Sequence, residues 1–180
     1  HGEGVHRLSV SDRMTLANVS AEMGVKNSVF PPDDTLADFF SDYAIQGVWA
    51  DQNASYEREF EIDLSAVVPM AMLVGQNAEV KSVAEWGALP IQQGLIGACG
   101  AGRIEDLRVV ANILEGKKIA PGFQLSIVPA SREIYMQAIE EGLIDIVFKS
   151  GASILGSICG PCLGSSHMIL ADTKRYITTT

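Results

Sequence analysis

The chain has 180 residues, 47% of them hydrophobic, enough for one large domain or two small ones around a buried core. Its formal charge of −9 argues against nucleic acid or an anionic membrane as the main partner, since neither gains from meeting a net negative surface. The longest apolar run, from Ala66 to Val74, is short and carries Pro69, so no transmembrane helix is expected.

The chain opens on His1 rather than Met and closes on Thr178-Thr179-Thr180, so it reads as a piece of something longer, with no signal peptide visible. The first predicted element is a helix from Ser11 to Met23, capped by Ser11 or Asp12 and stopped at Gly24. Met14, Ala17 and Ala21 share its apolar face, and Thr15, Asn18 and Glu22 form a polar stripe. A solvated face accounts for such a stripe; so does a site. Val29-Phe30-Pro31-Pro32 reads as a strand end or turn, and a second helix starts near Asp33 and runs through Phe40. Phe60-Glu61-Ile62-Asp63-Leu64 alternates like an exposed strand, and Val80 to Trp86 reads as a short helix or linker. A domain boundary is expected near residues 78/79, giving an α/β lobe over 1–78 and a second over 79–180.

The second half has a clearer rhythm. Ile91 to Ala98 reads as a strand, and Ile104 to Glu115 as a helix with Leu107, Val110, Ala111 and Leu114 on one stripe. Leu125-Ser126-Ile127-Val128 is a second strand, and Ser131 caps a helix through Glu141. Asp145 to Lys149 adds a helical turn or two, and residues 153–158 make a third strand. Strands alternating with helices imply right-handed crossovers and a parallel sheet covered on both faces, a three-layer α/β/α fold.

The three cysteines organise this half. Cys99 follows the apolar Leu95-Ile96-Gly97-Ala98, and Cys159 and Cys162 lie in Ile158-Cys159-Gly160-Pro161-Cys162-Leu163-Gly164, after Ile154-Leu155-Gly156-Ser157. An open α/β sheet takes its ligands just beyond the carboxyl ends of its strands. An odd cysteine count serves no complete disulfide framework and suits a reducing, cytoplasmic setting with thiols kept for metal or catalysis. Three readings compete. Cys-Gly-Pro-Cys is the thioredoxin dithiol motif, but too little chain follows it for that fold, and Cys99 is left over. Structural zinc needs four ligands, which would enlist His167. An iron–sulfur cluster held by three thiolates leaves one iron open to substrate, as a Lewis acid.

Several stretches carry a resemblance. They are Leu8-Ser9-Val10-Ser11-Asp12-Arg13-Met14-Thr15, Ala21-Glu22-Met23-Gly24, Glu61-Ile62-Asp63-Leu64-Ser65 and Gly94-Leu95-Ile96-Gly97-Ala98-Cys99. Arg103-Ile104-Glu105-Asp106-Leu107-Arg108, Pro129-Ala130-Ser131 and Cys159-Gly160-Pro161-Cys162-Leu163-Gly164 complete them. Together they resemble the aconitase superfamily, which includes aconitase, homoaconitase and the large subunit of 3-isopropylmalate dehydratase. A lone cysteine, 59 residues and then Cys-x-x-Cys is close to that family's cluster spacing.

The resemblance implies an aconitase-like α/β fold and a hydro-lyase acting on a small hydroxy-polycarboxylate. Cys99, Cys159 and Cys162 would hold a [4Fe–4S] cluster. Asn18 and Glu22 map to an asparagine and a glutamate beside it, with Glu22 managing the proton of the hydroxyl that leaves or adds; the polar stripe then faces a site. Arg103 is a candidate for a substrate carboxylate near a helix N-terminus, or else a surface residue. Two departures stand out: Gly100-Ala101 replaces the family's Thr-Asn after the cysteine, and the swivelling domain or small subunit is not in this chain. The Arg103–Arg108 run leans toward 3-isopropylmalate dehydratase and leucine biosynthesis, with aconitase or homoaconitase as alternatives. The chain alone is expected to lack dehydratase activity. The alternative of a different class is a cluster-free binding module, or a zinc or dithiol module.

Overall fold

In a computed structural model of the chain, residues 1–44, 46–73, 78–165 and 174–180 are described. They form two compact units, one of His1–Val10 with Phe30–Leu89, the other of Ser11–Val29 with Pro90–Thr180. The segment holding Asn18 and Glu22 therefore groups with the cysteine-bearing half, and not with the residues before 78. No helix among the described residues is long and apolar enough to cross a membrane.

The first unit holds a short helix and a hairpin. Helix α2 (Asp34–Phe39) starts at Asp33, whose side chain accepts from Leu36 N at 3.1 Å. Strands β1 (Met70–Leu73) and β2 (Glu79–Ser82) pair antiparallel, Met70 opposite Ser82. The expected helix or linker at 80–86 is thus half strand: only Val83–Glu85 turns helical, with Glu85 accepting from Ser82 N at 3.0 Å. The expected strand at Phe60–Leu64 does not form. Its residues are exposed with no ladder partner among the described residues, and Asp63 starts a 3-10 turn at Leu64–Ala66 by accepting from Ser65 N.

The second unit is a four-stranded parallel sheet in the order β5-β4-β3-β6, with β3 at Gln93–Gly97, β4 at Gln124–Val128, β5 at Ser153–Ile154 and β6 at Tyr176–Thr178. Helices α4 (Ile104–Leu114), α5 (Arg132–Glu140) and α6 (Leu143–Ser150) fill the connections. The apolar stripe of α4 packs Ile104, Leu107 and Val110 with Leu125 and Ile127 of β4 and with Ala138, Val147 and Ala152. Leu95 and Val128 belong to a second cluster, with Ala98, Leu155 and Cys162 packed in it. Strand neighbours Leu95/Ile96 and Ile127/Val128 divide between the two clusters, so the clusters lie on opposite faces of the sheet. Ser131 caps α5 as expected, accepting from Ile134 N at 3.2 Å. Two expectations fall short here. The third strand keeps only Ser153–Ile154 of the six residues assigned to it, and α6 runs longer than the turn or two expected. Strand β6 has no counterpart in the sequence reading.

Candidate functional site

Helix α1 (Val10–Val19) begins before Ser11, so Ser11 lies inside its first turn and is not its cap. The Ser11 hydroxyl donates instead to Glu105 Oε2 at 3.1 Å. One and two turns further along the same face, Thr15 Oγ1 donates to Gly100 O at 2.7 Å and Asn18 Nδ2 donates to Cys99 Sγ at 3.3 Å. Three side chains at helical spacing thus dock onto the Cys99 loop and the first turn of α4. The polar stripe is a contact face over most of its length. Glu22, in the 3-10 turn Ser20–Met23 that continues α1, is exposed and makes no hydrogen bond or ion pair among the described residues.

Cys99 leaves β3 through a tight bend. Gly97 has φ 113°, Ala98 has φ 59°, and the chain then enters the four-residue helix α3 (Ala98–Ala101). Positive φ at Ala98, a non-glycine residue, is local strain. Gly102 closes the bend against β4: a Cβ there would come within 2.5 Å of Val128 O and 2.8 Å of Ala130 N. Ala130 N donates to Gly102 O at 2.9 Å. A glycine is required for that approach.

Arg103 sits at the start of α4. Its backbone N–H donates to Asp106 Oδ2 at 2.9 Å, and its Nη2 makes a long 3.4 Å contact to Cys99 O. Its Nε is buried with no hydrogen-bond partner among the described residues. Burial pushes the Asp106 carboxyl above the usual carboxylate range, against the opposing pull of the Arg103 N–H.

All three cysteines are free. Cys99 and Cys159 are exposed, and Cys162 is partly buried against Leu95, Ala98 and Val128, Ala98 being the residue before Cys99. Tyr176 of β6 donates its hydroxyl to Cys162 O at 2.9 Å. The structure therefore brings Cys162 and Cys99 to one end of the sheet. It does not gather all three thiols: no three His, Cys, Asp or Glu side chains among the described residues group closely enough to hold a metal ion. The reason is local, for the chain leaves the sheet after Ile154 and Cys159 stays at the surface. His167, a candidate zinc ligand, lies outside the described residues. In kind and number the donors suit a thiolate-bound iron centre: soft sulfurs, none in a disulfide, one already accepting a hydrogen bond.

The larger described cavity, about 560 Å³, lies in the other unit, between Val5, His6, Pro31, Pro32, Asp33 and Trp49. His6 Nδ1 is 3.2 Å from Asp33 Oδ2 there, but no cysteine lines the cavity. The chemistry of interest is at the open end of the parallel sheet.

The model of the aconitase family (aconitate hydratase) matches residues 1–84 and 74–180, the whole length of the chain. The chain belongs to the aconitase family. Over 99% of its length it is 39% identical to a 3-isopropylmalate dehydratase large subunit of Clostridium beijerinckii, covering 43% of that protein. It is 40% identical to the same subunit of Clostridium kluyveri, again over 99% of this chain and 43% of the relative. To 3-isopropylmalate dehydratase large subunit 2 of Archaeoglobus fulgidus it is 37% identical, covering 44% of that protein. The chain thus spans less than half the length of these curated relatives.

The family resemblance led to a threonine and an asparagine after the first cysteine, where this aconitase-family chain has Gly100-Ala101. A Cβ on Gly100 would stand 3.3 Å from Thr180 Cγ2, so the side of the bend that a threonine would fill is taken by Thr180, two residues beyond β6. Thr15 belongs to the polar stripe legible in the sequence, but Thr180 carries no such signal as a site residue. The β-branched run Ile177-Thr178-Thr179-Thr180 was the available signal for a strand reaching this point.

Proposed function

We propose that the chain is part of a [4Fe–4S]-dependent hydro-lyase, a 3-isopropylmalate dehydratase large subunit, in which Cys99, Cys159 and Cys162 hold the cluster. The observation that supports this reading is the Asn18–Cys99 hydrogen bond at the end of β3, with Cys162 packed against Leu95, Ala98 and Val128, within a chain that belongs to the aconitase family. When bound, the cluster supplies a Lewis-acidic iron with an open position for a substrate hydroxyl.

The chain's own residues have separate tasks. Asn18 holds the Cys99 sulfur by an N–H donor, the kind of contact that orients a thiolate ligand. Glu22, exposed on the continuation of the same helix, is the group that takes or returns the proton of the hydroxyl as water leaves or adds. Arg103, with a buried, unpaired Nε close to Cys99, receives one carboxylate of a small hydroxy-polycarboxylate. The relatives' names support 3-isopropylmalate over citrate or homocitrate as the acid, and a small-subunit partner; leucine biosynthesis is the role that goes with that acid. The odd number of free thiols supports a reducing, cytoplasmic setting.

Anaerobic reconstitution of the chain with iron and sulfide, followed by iron counting and the visible absorption of the cluster, tests the reading. Iron retained by the chain and lost on Cys99→Ser, Cys159→Ser or Cys162→Ser is the expected result. No iron retained, or iron retained equally by the serine variants, sinks it. Without the small subunit and the remainder of its relatives' length, the chain alone is expected to turn over no 3-isopropylmalate.

A further inference from the structure

We infer that Thr15, Thr179 and Thr180 are positioning residues for the Cys99 sulfur, acting as a hydroxyl clamp on the bend that carries it; this rests on Cys99 being a ligand. The bend cannot hold itself. It begins at Gly97, with φ 113° and ψ −126°, passes through Ala98 in the left-handed region and ends in a helix of only four residues. A single turn of helix has too few internal hydrogen bonds to fix its own geometry.

Side chains from two distant elements supply what the backbone lacks. The ladder between β3 and β6 closes with Thr179 N donating to Leu95 O at 3.2 Å. Beyond it, the β6 extension bonds Gly97 through hydroxyls: Thr179 Oγ1 accepts from Gly97 N at 3.1 Å, and Thr180 Oγ1 donates to Gly97 O at 2.6 Å. On the other side of Cys99, Thr15 Oγ1 donates to Gly100 O at 2.7 Å. Backbone groups on both sides of the cysteine are thereby fixed, and with them the direction of its Cα–Cβ bond. Asn18, one turn along from Thr15, can meet the sulfur at 3.3 Å only while α1 stays docked at Gly100. Precision at a ligand comes from such supporting contacts.

The test uses the full 180-residue chain, reduced and free of metal, labelled with iodoacetamide and read by peptide mass spectrometry. The rate at Cys99 is taken relative to that at Cys159, which the clamp does not touch. Thr15→Val and Thr180→Val are each expected to raise that ratio by about threefold or more as the sulfur loses its fixed setting. Thr15→Ser and Thr180→Ser, which keep the hydroxyl, are expected to restore it. An unchanged ratio in both valine variants overturns the inference. Far-UV circular dichroism checks folding, and Thr15→Ala and Thr180→Ala give the same reading if a valine variant unfolds. Labelling needs no cluster, so an unmoved ratio counts against the clamp whatever the iron result, and failure to retain iron counts against the proposed function from which the clamp takes its purpose.

Discussion

Gly97→Ala perturbs the bend at its most constrained point. The residue has φ 113° and ψ −126°, a region where a side chain costs ~1–3 kcal/mol. A Cβ would also run into the Val128 carbonyl, with its carbon at 2.9 Å and the Val128 nitrogen at 3.2 Å. These are backbone atoms of the neighbouring strand, paired with Gly97 in the parallel ladder, so no rotamer change relieves the clash. Parting the strands adds ~1–3 kcal/mol, as for other overpacking changes. The sum is ~2–6 kcal/mol, a large share of the ~5–15 kcal/mol by which a domain is stable. At ~2–4 °C per kcal/mol for a chain of this size, the melting temperature should fall by ~4–24 °C. Gly116→Ala is the control: its φ is +69° but a Cβ there meets nothing within 4 Å, so only the left-handed backbone cost of ~1–2 kcal/mol applies. Urea unfolding followed by far-UV circular dichroism, compared at constant m, gives both values. A Gly97→Ala variant no less stable than Gly116→Ala would refute the close-approach argument. Because the displaced bend carries Cys99, the same variant should also retain less iron on reconstitution.

Other outcomes follow from single contacts. Ser131→Ala removes the α5 cap and should cost ~1 kcal/mol, or ~2–4 °C in the melting temperature, with Ser131→Asp close to the parent; thermal melts decide. Asp106 has a raised carboxyl, so its ionised form is disfavoured by the fold and stability is lost as pH rises through its folded value. Asp106→Asn keeps the acceptor for Arg103 N–H and should therefore gain stability at neutral pH and gain nothing below the carboxylate range, by urea midpoints across pH. Glu141 is held below the usual range by the Arg108 guanidinium, at 2.7 Å from each of two nitrogens. Its contribution is present above the unfolded value and lost as pH falls through the folded one, so Glu141→Gln should flatten the acid limb. Asn18→Ala should speed the loss of iron from the reconstituted chain in air, measured by bleaching of the visible absorption.

The second unit was legible because its signals are local and strong. The α4 stripe, the Ser131 cap and the apolar runs at 91–98 and 125–128 each state their element within one window of sequence, and the strands form at 93–97 and 124–128. The errors came where short segments depend on a distant partner. Val80 is in a strand only because Met72 lies opposite it, and Phe60–Leu64, with the right alternation, finds no strand to pair with. Residues 155–158 follow an apolar strand, yet after Leu155, whose N–H still donates to Ile127 O of β4 at 2.9 Å, the pairing stops. The same limit hid part of the site. Cys99 is legible as a strand end and Asn18 becomes a site residue only through the family resemblance, but the 3.3 Å contact between them depends on how α1 docks.

The strand order explains why these residues meet where they do. From β3 the chain steps outward to β4 and β5, then returns to the opposite side of β3 with β6. The order reverses at β3, which is where an open parallel sheet parts its connections and leaves a crevice beyond its carboxyl ends. Cys99 leaves β3 at that point, Thr179 and Thr180 leave β6 beside it, and Cys162 packs against Leu95 and Val128. A cysteine at the end of β5 alone would have faced an edge of the sheet. Among the described residues, the cysteine that receives a hydrogen bond on its sulfur, and whose bend is gripped from both sides, is the one at the reversal. That asymmetry predicts an order among the thiols: Cys99→Ser should abolish iron retention at least as completely as Cys159→Ser, because its sulfur is the one held in place before any iron arrives.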